Sequence, residues 1–192
     1  MPPLPKLFHA STDSADSGAA QKLDLFAEKY QQFFPRVFAY VYGRVRNVHL
    51  AEDLVSEVFE RAFIKMGSLR NNEAFATWLF TIARNLVTSN ARKRGRESTV
   101  DPDVLRSVVA NNVSVENEIL IREEVRAVVD TLKTFPQREQ DIVALKFDAE
   151  LTNAQISRVM NLSEPNVRVI LFRTLRKLRE TMKSERERAA QD

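Results

Sequence analysis

Apolar residues recur three or four positions apart through most of this chain, and that spacing predicts helices. Phe33, Val37, Tyr40, Val41 and Val45 make one run, and Leu54, Val58, Phe59 and Ala62 a second. Phe75, Trp78, Leu79, Ile82 and Leu86 make a third. The pattern resumes at Ile119, Val125, Val128, Val129 and Leu132, and again at Val167, Leu171, Thr174 and Leu178. Only four glycines and seven prolines punctuate the 192 residues, too few for a turn-rich β fold. The chain is predicted to be all-α, built from two small helical domains.

The breaks in periodicity draw the boundaries. Residues 1–21 read as a flexible N-terminal tail, 22–96 as the first domain, 97–113 as a linker, 114–184 as the second domain and 185–192 as a tail. Within the first domain Pro35 marks a place where a second helix could begin, because its missing N–H costs little in a first turn. Asn47 and the stretch Ser68 to Asn72 separate the later helices. Fully extended at ~3.3 Å per residue, the linker would reach roughly 55 Å, enough for two domains to engage separated sites. A loop folded against one domain is the other reading.

In the second domain Ser114 is a plausible cap. Pro136 is expected just inside a helix running from Gln137 to about Lys146. Asp148 to Glu150 form a break. Thr152, with Gln155 three residues on, has the spacing of a capping box. Asn161-Leu162-Ser163 is a three-residue turn, Ser163 caps the final helix, and Pro165 sits in its first turn.

Composition excludes several function classes. Without cysteine there are no disulfides, thiolate metal sites or Cys nucleophile. The two histidines, His9 and His49, do not make a metal site. No Gly-rich phosphate loop or nucleophile elbow is present, so no catalytic residue, metal or cofactor is assigned and an enzyme is not expected. No apolar run approaches the roughly 20 residues of a membrane span, so membrane insertion is not expected. The opening MPPLPKLFHASTDSADSG lacks the apolar stretch of a secretory signal, and the cytoplasm is the expected location.

The formal charge of +3 is modest, but it is segregated. Arg84, Arg92, Lys93, Arg94 and Arg96 cluster at the end of the first domain. Residues 97–130 carry eight acids against three arginines, and 166–183 carry six cations against Glu180 alone. Two helices joined by a short turn, the second one basic, form a helix-turn-helix, whose second helix can enter a DNA major groove. At 100° per residue, Val167, Leu171, Thr174 and Leu178 share a narrow stripe flanked by Ile170, Leu175 and Met182. That stripe is expected to pack on Ile156, Val159 and Leu162. Opposite lie Val169, Phe172, Arg173 and Arg176, with Asn166, Arg168, Lys177 and Arg179 nearer the edges. Asn166, Arg168, Val169 and Arg173 are candidates for base readout, since Arg pairs with guanine and Asn with adenine. Arg176, Lys177 and Arg179 are suited to phosphates. A basic helix end that answers only its own dipole is the competing explanation for the last turns.

AEDLVSEVFERAFIK (51–65) followed by FATWLFTIARNLVTSNARKRGR (75–96) closely resembles conserved domain 2 of bacterial sigma factors. The segment from Thr134 to Arg179 resembles their domain 4, and the two-domain size is similar to the extracytoplasmic-function (ECF) class. The resemblance implies a protein that binds core RNA polymerase, directs it to promoter DNA and assists melting, under the control of an anti-sigma factor. It implies that Asp53, Leu54, Ser56, Glu57 and Phe59 dock on the polymerase. An apolar core role for Leu54 and Phe59 is the alternative. Asn71 and Asn72 would take an exposed base of the −10 element, with Arg84, Asn85, Arg92, Lys93 and Arg94 on the separated strand. Trp78 could stack on a base or pack in the core. Asn166, Arg168, Val169, Phe172, Arg173, Arg176 and Lys177 would meet the −35 element. Relatives often carry Arg at Ile170, Asp at Ser89, Gly at Glu150, and Glu-Ile-Ala at Gln155-Ile156-Ser157. These departures bear on which promoter is recognised. A helix-turn-helix repressor or activator without sigma activity would explain residues 151–180, but would leave the FATWLFTIARN domain without a task.

Overall fold

The computed structural model describes residues 17–65, 72–94 and 125–189, with side chains for all of these but 17–19, 72–73, 94, 185–186 and 189. The chain divides into two units at the Arg96–Glu97 boundary, and every described element is a helix, turn or connection.

The first unit is a three-helix bundle of α1 (Ser17–Val45), α2 (Val48–Lys65) and α3 (Asn72–Arg94), each packed on the other two. Its core is aromatic and β-branched. Phe33, Val37, Tyr40 and Val41 from α1 meet Val55, Val58 and Phe59 from α2, and Leu79, Phe80 and Ala83 from α3. Tyr40 and Phe80 meet edge to face at 5.8 Å, and Phe33 lies 5.4 Å from Phe75. Such ring pairs add to the area they bury. Along one side of α1, Tyr30, Phe34, Phe38 and Tyr42 form a half-buried ladder at four-residue spacing. Burial raises the Tyr30 phenol above its ordinary pKa.

Pro35 does not begin a helix. It lies inside the single helix α1 with its ring exposed. An interior proline costs about 3 kcal/mol through a lost backbone hydrogen bond and a ring clash. Phe26, Phe33, Val37, Tyr40 and Val41 are all buried on this one helix, and each contributes roughly 1.5–3 kcal/mol, which offsets that cost. Asn47 does break the chain: its side-chain Oδ1 accepts from the Leu50 amide at 2.9 Å and starts α2.

The second unit contains α4 (125–133), α5 (Gln137–Phe147), α6 (Asn153–Met160) and α7 (Glu164–Ala189). Helices α5, α6 and α7 pack on one another. Pro136 is the N-cap of α5 rather than its first helical residue. Thr152 and Gln155 form the full capping box on α6, with the Thr152 hydroxyl accepting from the Gln155 amide at 3.2 Å. The Gln155 side chain accepts in return from the Thr152 amide at 2.9 Å. Asn161 ends α6 with a φ of 53°, a left-handed conformation asparagine tolerates well. Ser163 then accepts from the Asn166 amide at the start of α7. Glu150 also has a positive φ, 52°, which accounts physically for the glycine that sigma-like sequences often place there. The linker expectation and the Ser114 cap lie outside the described residues.

The hydroxyl of Thr174 is buried in the apolar stripe of α7 and has no hydrogen-bond partner among the described residues. A buried, unpaired hydroxyl costs roughly 1–3 kcal/mol. Thr174→Val, which keeps the shape and removes the polar atom, is therefore expected to raise the thermal midpoint of the second unit by several degrees. Calorimetry of the full chain would detect it. A lower midpoint would mean that the hydroxyl is satisfied in solution.

Candidate nucleic-acid interface

The helix-turn-helix of α6 and α7 is held by its apolar register. Val167, Leu171, Thr174 and Leu178 are buried on one line of α7, while Ile156, Val159 and Met160 are buried on α6. Ile170, Leu175 and Met182 flank the line half-buried, as the spacing predicts. Leu162 is also half-buried. The rotation of α7 is thereby fixed, and Asn166, Arg168, Val169, Phe172, Arg173, Arg176, Lys177 and Arg179 are all exposed.

Those side chains are not equivalent. Arg168 donates to Glu164 at 3.1 Å, and Arg176 lies 3.5 Å from Glu180. The Lys177 ammonium sits 4.4 Å from the centre of the buried Phe135 ring, a cation–π contact that draws it to the flank of the helix. Arg173 has no carboxylate partner among the described residues. Exposed ion pairs are worth about 1 kcal/mol or less, so Arg168 and Arg176 can exchange a carboxylate for a phosphate at small cost. The i,i+4 spacing of Glu164 to Arg168 and of Arg176 to Glu180 was legible in the sequence. The Phe135 contact joins residues 42 positions apart and had no such signal.

On α2, Asp53 and Ser56 are exposed, and Glu57 is half-buried and paired with Arg61. Leu54 is 6% exposed and Phe59 is 0% exposed, with Phe26, Tyr30 and Phe34 around the Phe59 ring. Both side chains are packed in the core of the bundle. Helical spacing put them there: they share the stripe of Val55, Val58 and Ala62, which faces α1 and α3. Glu60 is also exposed, one turn beyond Ser56 and Glu57. On α3, Asn85, Arg92 and Lys93 are exposed and Arg84 is half-buried. Trp78 is half-buried, with its ring 5.9 Å from Phe75. Asn71 and the side chains of Asn72 and Arg94 lie outside the described residues.

The first unit matches sigma-70 region 2 over residues 30–97, and the second matches sigma-70 region 4 over residues 131–180. The chain is 31% identical to the ECF RNA polymerase sigma factor SigM of Bacillus subtilis, over 79% of its own length and 91% of that protein. This chain belongs to the ECF sigma factor family. It is also 32% identical to the ECF sigma factor BldN of Streptomyces coelicolor, over 88% of its length and 67% of BldN. Among solved structures, the sigma factor RpoE of Bartonella quintana, determined with the anti-sigma factor NepR, superposes with a TM-score of 0.66. That likeness covers 83% of this chain and 98% of RpoE at 19% identity, and it speaks for the fold. A sigma factor is an initiation factor and not an enzyme. Among the described residues no cluster of His, Asp or Glu could hold a metal ion, and no helix is long and apolar enough to cross a membrane.

Within this sigma factor Ile170 is half-buried on the packing side of α7, so no arginine-like role passes to that position. Ser89 is exposed on α3. The free Arg173 and the ring-held Lys177 should behave differently on DNA. Arg173→Ala is expected to relax discrimination at one base pair, at a cost of roughly 1–3 kcal/mol. Lys177→Ala should weaken all duplexes alike and lower the salt slope by about 0.9. Binding titrations at several salt concentrations separate the two, and identical effects on every sequence would remove Arg173 from base readout.

Proposed function

We propose that this sigma factor binds core RNA polymerase, directs it to specific promoters and helps to melt them, with the two units dividing the work. The observation that carries the reading is the ordered pair of family matches, region 2 then region 4, on one chain. The domain at 22–96 holds the polymerase and the −10 element, and the domain at 114–184 reads the −35 element. The open face of α2, with Asp53, Ser56 and Glu57, supplies the polymerase contact. Exposed carboxylates there give orientation and encounter rate more than raw affinity. Asn85, Arg92 and Lys93 on α3, with Arg94, Asn71 and Asn72, take the separated strand. Cations for the backbone, together with amides that can bond a base edge, suit a melted duplex. Arg84 assists from a half-buried position.

The exposed cations of α7 supply the duplex contacts. Regulation by an anti-sigma factor is part of the proposal, by analogy with the Bartonella quintana protein and its NepR complex. The place of action is the cytoplasm, where the polymerase and the chromosome are.

Transcription with purified core polymerase and the full chain tests this directly. Specific transcripts should start only when both are present. Asp53→Lys reverses a charge on an exposed side chain. It should weaken polymerase association on the order of tenfold or more while leaving the helical content unchanged. A chain that binds duplex DNA alone and starts no transcript would instead be a helix-turn-helix repressor or activator.

A further inference from the structure

Beside its core stripe, α1 carries a second row of rings. Tyr30, Phe34, Phe38 and Tyr42 follow one another at centre distances of 5.2, 5.9 and 6.0 Å. Phe59 of α2 backs Tyr30 at 4.7 Å and Phe34 at 6.3 Å. All four rings of the row are half-buried, so each keeps apolar surface in water. At the Tyr30 end the row continues through Phe26 onto α2, where Phe63 is half-buried and Ile64 is 68% exposed. Phe33, Val37, Tyr40 and Val41 already fill the core from α1, and a contiguous apolar strip outside the core marks a docking surface.

We propose that residues 2–8 of this same chain, Pro-Pro-Leu-Pro-Lys-Leu-Phe, lie along the row as an extended strap in the polyproline II conformation. The residue pattern carries the choice. Three prolines within Pro2 to Pro5 disfavour a helix, and a polyproline II segment repeats every three residues. On that repeat Leu4 and Leu7 share one edge and Pro2, Pro5 and Phe8 a second, while Pro3 and Lys6 fall on the third. Two of the three edges are thus apolar throughout, and proline segments of this spacing dock on aromatic-lined grooves.

The lengths agree. Tyr30 and Tyr42 lie about 18 Å apart along α1 at 1.5 Å per residue. From Pro2 to Phe8 a polyproline II segment spans about 19 Å at 3.1 Å per residue. Between strap and helix, residues 9–16 read His-Ala-Ser-Thr-Asp-Ser-Ala-Asp, a polar spacer without a large apolar side chain. Extended at ~3.3 Å per residue it carries Phe8 roughly 30 Å from Ser17, and Tyr30 is only about 20 Å up the helix. Charge selects the same occupant. Glu52 and Glu60 are exposed on the flank of α2 beside Phe59, an acidic margin for Lys6. A second copy of the row would instead set two such margins against each other, and like charges across an interface oppose association.

The test uses the full chain with a photo-crosslinking side chain at position 7. Light should join it to the α1 segment between Tyr30 and Tyr42 of the same molecule, at a yield unchanged by dilution. Nitration of tyrosines gives a second reading. Leu4→Asp combined with Leu7→Asp should leave the helical content unchanged and make Tyr30 and Tyr42 react several times faster. The fully buried Tyr40 should stay unreactive in both chains. Pro3→Gly with Pro5→Gly, which removes the preset backbone angles, should give an intermediate rate. Crosslinks to any other segment, or nitration rates equal in the parent and the double aspartate variant, would overturn the proposal. So would crosslinks that disappear on dilution, which would give the row to a second copy of the chain.

Discussion

The burial of one apolar line on α7 determines which of its side chains face solvent, and the DNA-binding part of the account depends on it. Val167, Leu171, Thr174 and Leu178 are pinned against α5 and α6. The helix therefore cannot rotate without expelling leucine and drawing arginine or phenylalanine inward. Desolvating a guanidinium without a partner costs several kcal/mol, far more than a small rotation could regain. The caps make the same choice from the other end. The Thr152 box and the left-handed Asn161 fix where α6 stops, and Ser163 fixes where α7 starts. Register and turn together aim Asn166, Val169, Phe172 and Arg173 outward.

The first unit solves a different problem with the same means. Its rings and β-branched side chains fill the interior so thoroughly that α1 runs through Pro35 without breaking. What remains on the outside is polar and sorted by helix. Acids line the open face of α2, and amide and cationic groups occupy the end of α3. An acidic surface and a cationic surface can thus share one small bundle, because each helix keeps one face for the core and frees the other.

Much of this was legible in the residues, because helical periodicity is local. The stripe on α7, the Thr152 box, the three-residue turn and the break at Asn47 are all written within four or five positions. Where local rules met tertiary energetics, the tertiary term won: Pro35 reads as a helix start, yet five buried side chains, two before it and three after, hold one helix. Leu54 and Phe59 illustrate a second limit. A resemblance marks a segment as a contact surface, but it does not say which side chains in the segment are structural; the three-four spacing of Leu54, Val58, Phe59 and Ala62 sets them apart from Asp53 and Ser56, and the packing against α1 and α3 agrees with it. The Lys177–Phe135 contact spans too many residues for any pattern to show.

The most direct measurement places a photo-crosslinking side chain at individual α7 positions in the full chain, assembled with core polymerase on promoter DNA. Crosslinks to duplex bases upstream of the start site are expected from positions 169, 172 and 173, and none from the buried positions 171 and 178. Crosslinks from 171 or 178 in place of 169 and 172, or capture of protein alone from the exposed positions, would contradict that expectation.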